Sequence, residues 1–102
     1  MDIRRAFGNS LKVARKSRGL SQEDFSGVSS RTYLSTLERG IKSPTLDKIN
    51  SLSELMEIHP LTLMTLTYLC AENETNPSHL LDRVASETNL ILSHFTKNEI
   101  LK

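Results

Sequence analysis

The chain has 102 residues, 37% of them apolar and 25% charged, with a formal net charge of +1. That leaves room for one compact domain burying about 60 to 70% of its unfolded surface. It argues against a disordered or low-complexity chain, and a single cysteine, Cys70, excludes an internal disulfide. Met1 is followed by Asp2, Arg4 and Arg5 and by no apolar run. The most apolar stretch, Leu61 to Ala71, is too short for a bilayer, so the expectation is a cytoplasmic protein with no secretory signal and no membrane segment.

Asp2 is placed to cap a first helix in which Ile3, Ala6, Phe7, Leu11 and Ala14 recur at intervals of three and four, with Gly19 as its stop. Its other face is basic. Ser21 followed by Asp24 has the form of a capping box, so a second helix should begin at Gln22 and end at Gly27. Ser30 is placed to cap a third helix over residues 31–39. Leu34 and Leu37 then face inward, and Arg31, Thr32, Ser35 and Thr36 form a polar outward face able to meet base edges. Gly40 ends it.

Thr45 caps the fourth helix, whose stripe is Leu46, Ile49, Leu52, Leu55 and Met56, and Pro60 opens the fifth, with Leu61, Met64 and Tyr68 or Leu69 inward. Residues 72–76 read as a polar connector. A final helix follows Pro77 and Ser78, with Leu81, Val84, Thr88, Ile91 and Phe95 alternating at three and four residues and a second flank of Leu80, Leu90 and Leu92. Such a stripe fits a dimer seam; packing on its own chain and docking of another protein remain alternatives.

The near-zero net charge hides an asymmetry. Residues 1–48 hold ten Lys/Arg against five acids, a net of +5, and the remainder is net −4. This is the distribution of a phosphate-facing half joined to a partner-facing half. The spacings of His59, His79, His94 and Cys70 fit no structural zinc pattern, nothing basic adjoins Cys70 to lower its pKa, and a buried core thiol is expected there. No phosphate-cradling glycine loop, paired carboxylate motif or nucleophile elbow is present, so no enzyme activity, metal or cofactor is expected.

At LSQEDF (20–25), RTYLSTLERG (31–40) and SPTLDKI (43–49) the chain resembles the lambda repressor and Cro type of helix-turn-helix protein, the XRE family. The resemblance covers about residues 3–70 and implies an all-α, five-helix DNA-binding domain over residues 1–70, with the connector and C-terminal helix added over 71–102. It implies that Arg31, Thr32 and Thr36 contact bases, with Ser35 beside them on the same outward face as a base or secondary contact. Gln22, Ser30, Tyr33, Arg39, Lys42 and Ser43 then fall at DNA backbone positions, and Arg15 with Glu38 at an internal salt bridge. Tyr33 has packing against the second helix as its alternative, and Arg4, Arg5 and Lys12 are as well explained by a solvated face.

The interval from Gln22 to Gly40 is two residues shorter than in the well-known phage repressors. Two residues remove about half a turn at 3.6 residues per turn, which shortens the second helix and tilts the third. The function the resemblance implies is sequence-specific transcriptional regulation on double-stranded DNA, with a dimeric repressor on a pseudo-palindromic operator as the expectation. The alternatives are the antitoxin of a toxin pair and a protein-interaction adaptor that keeps this fold without reading DNA.

Overall fold

A computed structural model describes residues 1–95, 99 and 101. Its elements are α1 (Ile3–Ser17), a 3-10 helix η1 (Gln22–Phe25), α2 (Arg31–Glu38), α3 (Leu46–Leu55), α4 (Pro60–Ala71) and α5 (Ser78–Leu92). The architecture is the all-α one expected, and among the described residues there is no strand. No helix among them is long and apolar enough to cross a membrane.

The termini follow the local chemistry. The Asp2 carboxylate accepts from the Arg4 amide, and the Ser30 and Thr45 hydroxyls accept from the Tyr33 and Lys48 amides. Each satisfies one of the amides that a helix start leaves unpaired. Ser21 and Asp24 exchange both bonds of the capping box. The C-termini share one device. After α1 to α4 the chain enters a left-handed residue, respectively Gly19, Gly40, Glu57 and Asn73. The amide two residues past each cap then bonds back into the last turn, as Ile41 does to the Thr36 carbonyl. Two of the four positions are not glycine.

The second helix departs from expectation. It is a single 3-10 turn, because both the Val28 and Ser29 amides bond the Phe25 carbonyl and turn the chain as soon as the fully buried Phe25 is in the core. α2 therefore starts with one short turn behind it.

Phe7, Leu11 and Ala14 of α1, Phe25, Leu34 and Leu37, Leu52 and Met56, and Leu63 make one continuous core. α1 runs through the middle, against α4 on one side and α2 on the other. Leu37 and Glu38 approach so closely that a Cβ on Gly8 would stand 2.5 Å from both of their carbonyl oxygens, so only glycine fits this crossing.

Several inward assignments change. Leu46 is 85% exposed and Leu61 66%, and of the Tyr68 and Leu69 alternatives Leu69 is the buried one; α4 also buries Leu63 and Thr67, which were not expected inward. The α4 sequence is apolar on nearly every side, so its periodicity carries no phase. The Thr67 hydroxyl is satisfied by donating to the Leu63 carbonyl at 2.9 Å. Cys70 is half-buried, not a core thiol, with its Sγ 3.7 Å from the Met1 Sδ.

The connector is self-braced. The Glu74 carboxylate accepts from the Thr75 and Asn76 amides, which hold its pKa below the ordinary glutamate value, and Asn76 accepts from the Ser78 amide at the start of α5. α5 itself buries no residue. Its helix stops at Leu92, so Phe95 lies three residues beyond the helix that carries the rest of the expected stripe.

Candidate nucleic-acid interface

The site is built on a buried ionic junction. The Arg15 Nε and Nη2 donate to the two oxygens of Glu38 at 2.7 and 3.0 Å, and Nη1 donates to the Leu20 carbonyl at 2.9 Å. The Gln22 amide donates to the same carboxylate at 3.1 Å. The Glu38 carboxylate at the end of α2 thus joins α1 and the first residue of η1, and through Arg15 the turn after α1. The pair is 9% and 5% exposed at its side chains. The hydrogen bond and charge of Glu38 raise the Arg15 pKa against the opposing effect of burial.

Above this junction lies a shallow depression lined by Gln22, Arg31, Thr32, Ser35 and Arg39. Arg31 and Thr32 are exposed, Ser35 is half-buried and Arg39 is exposed with its Nε donating to the Ser35 carbonyl. The Arg31 guanidinium stands 3.6 Å from Glu23, with both side chains about three-quarters exposed. Such a loose, solvated pair holds the guanidinium weakly and exchanges readily for another acceptor. Lys42 and Ser43 are exposed on the loop after Gly40. At Gly40 a Cβ would stand 2.9 Å from the Arg5 Cα, and φ is +73°, so this turn closes directly on the basic start of α1.

The other expected contacts are already engaged within the chain. The Ser30 hydroxyl accepts the cap bond, and the Thr36 hydroxyl donates to the Tyr33 carbonyl at 2.6 Å with Thr36 half-buried. Tyr33 packs against the core rather than standing free, with the Lys48 ammonium 5.6 Å from its ring centroid. The structure therefore brings five of the expected residues around one depression, and Ser30, Tyr33, Thr36, Lys42 and Ser43 do not line it. Sequence reasoning missed Gly8 and Lys48. A glycine inside a helical pattern, as between Phe7 and Leu11, costs about 1 kcal/mol against alanine and so points to a packing reason; nothing local marks Lys48.

Among the described residues, no group of His, Cys, Asp and Glu is arranged to hold a metal ion.

A helix-turn-helix family profile matches residues 11–63, which include the ionic junction and all of α2. The chain belongs to this XRE-type helix-turn-helix family. One relative is an uncharacterized HTH-type transcriptional regulator, y4dJ, of Sinorhizobium fredii. It is 35% identical over 69 residues, which cover 66% of this chain and 90% of the relative. Another is the control protein C.BamHI of Bacillus amyloliquefaciens, 35% identical over 69 residues, covering 65% and 85%. In this helix-turn-helix chain, η1 is the first helix of the motif and α2 the second. α5 lies outside the matched residues.

Proposed function

We propose that the protein is a sequence-specific, DNA-binding transcriptional regulator that occupies a pseudo-palindromic operator as a homodimer and represses by covering promoter DNA. The observation that carries this reading is the polar outer face of α2: Arg31 and Thr32 exposed, on a helix whose inner face is locked by Leu34, Leu37 and the Arg15–Glu38 pair. The major groove admits one α-helix. Arg31 there can donate two hydrogen bonds to guanine O6 and N7, Thr32 and Ser35 can bond base edges, and the Thr36 hydroxyl, which donates to the Tyr33 carbonyl, can still accept from one. Gln22, Arg39, Lys42 and Ser43 grip phosphate at the rim, and Ser30 and Tyr33 add backbone contact where they reach it. Those contacts set position and salt dependence and carry no sequence information.

One recognition helix of eight residues reads few bases, and two-fold pairing that sets two of them one DNA turn apart, about 34 Å, doubles the site. Residues 1–70 form the DNA-binding domain in this reading, and 71–102 the dimerisation element. The support for α5 as the seam is its exposed stripe: among the described residues Leu81, Val84, Ile91 and Phe95 are all between 46% and 59% exposed, with Thr88 between them. Selection of bound duplexes from a random library with the full-length protein tests the reading. Enrichment of an inverted repeat supports it; equal retention of all sequences at low and moderate salt refutes it and favours a protein-interaction adaptor.

A further inference from the structure

Lys48 is the one cation of the basic half that turns inward without meeting an acid among the described contacts. It sits in the first turn of α3, half-buried, and its Nζ donates to the Val28 carbonyl at 2.5 Å while standing 5.6 Å from the centroid of the Tyr33 ring. Val28 belongs to the turn that feeds α2, and Tyr33 belongs to α2 itself. The ammonium thus ties three consecutive pieces of chain, 26–30, α2 and α3, through one polar and one cation–π contact.

The need for such a tie follows from the local construction. η1 is four residues long, and between it and α2 Ser26, Gly27 and Ser30 are exposed, Val28 is half-buried and Ser29 is buried. α2 leans on α1 and η1 at its inner face and C-terminal end, where the Gly8 crossing and the Glu38 carboxylate lie. Its N-terminal turn, which carries Arg31 and Thr32, is held by the Ser30 cap and by what fixes Val28 and Tyr33: packing of both at the edge of the core, the Val28 and Ser29 amide bonds to the Phe25 carbonyl, and Lys48. Lys48 reaches both.

We infer that Lys48 is a positioning residue for base reading: its latch on Val28 and Tyr33 sets the angle at which the Arg31 end of α2 is presented, and Lys48 is not a phosphate contact. This rests on the reading that α2 meets base edges. Loss of the latch should let the N-terminal turn of α2 swing and blur discrimination between bases, with the number of phosphate contacts unchanged.

The latch is first tested without DNA. In the free protein the Lys48 ε-methylene protons should be shifted upfield by the Tyr33 ring current, a shift kept in Tyr33→Phe and lost in Tyr33→Leu; its absence in the unmodified protein would overturn the latch. The role is then read as the ratio of Kd for a single-base variant to that for the selected operator. Lys48→Met, which keeps the stem and removes the charge, should lower the ratio by about threefold to tenfold, the range of a partly desolvated cation–π contact. Its log Kd versus log salt slope should stay parallel to that of the unmodified protein. Lys48→Arg should restore the ratio, and Lys48→Met combined with Tyr33→Leu should cost no more than Lys48→Met alone. A slope shallower by about 0.9 would make Lys48 a phosphate contact, and a lower melting temperature with an unchanged ratio would make it merely structural; either overturns the inference. No preference between duplexes by the unmodified protein overturns the base-reading assignment and this role with it, whatever the ring-current shift shows.

Discussion

Glu38 accepts from three donors, two on Arg15 and one on Gln22, while lying 5% exposed at its side chain. Removing one member of such a buried pair strands the other charge, at about 3 to 5 kcal/mol. Glu38→Ala should therefore lower the melting temperature by more than about 10 °C in calorimetry, since each kcal/mol is worth about 4 to 8 °C in a domain of this size. Because the Arg15 pKa is raised, its contribution is complete below the ordinary arginine pKa and lost only as pH rises through the raised value. Deprotonation of Arg15 should accordingly add no slope to stability over about pH 6 to 9. On the exposed loop the expectation is different. Lys42→Ala should leave stability unchanged, weaken binding to all duplexes alike, and make the log affinity versus log salt slope shallower by about 0.9, as measured by fluorescence anisotropy.

At the scale of elements, Gly8 decides how near α2 can stand to α1. A methyl there would collide with two backbone carbonyls that cannot yield as a side chain does. Gly8→Ala gains helix propensity of about 1 kcal/mol in isolation, yet should destabilise the protein by about 1 to 3 kcal/mol through overpacking, measured by urea denaturation. Most element boundaries were legible because they are written in local chemistry: Asp2, Ser21, Ser30 and Thr45 at N-termini, Gly19 and Gly40 at C-termini. The Glu57 and Asn73 ends carry no glycine to announce them. The phase of α4 was illegible because a helix apolar on nearly all sides is fixed by its partners, here α1 and α3, and not by its own period. The Val28, Lys48 and Tyr33 contact joins residues 20 and 15 apart through a side chain that reads, in sequence, as one more surface lysine.

For the whole molecule, the charge division and the exposure of α5 lie at opposite ends of the chain: net +5 over residues 1–48, and an unburied amphipathic helix over 78–92. Truncation after Ala71 removes α5 and none of the nine buried core residues. The shortened chain should stay folded and run as a monomer in sedimentation equilibrium, with weaker operator binding; a surviving dimer would remove α5 as the seam. The central claim, that α2 reads bases through Arg31, is tested most directly by repeating the random-duplex selection with Arg31→Ala beside the unmodified protein. The unmodified protein should select an inverted repeat, and the variant the same repeat with base preference relaxed at one position in each half-site. An identical motif from both proteins would contradict the claim.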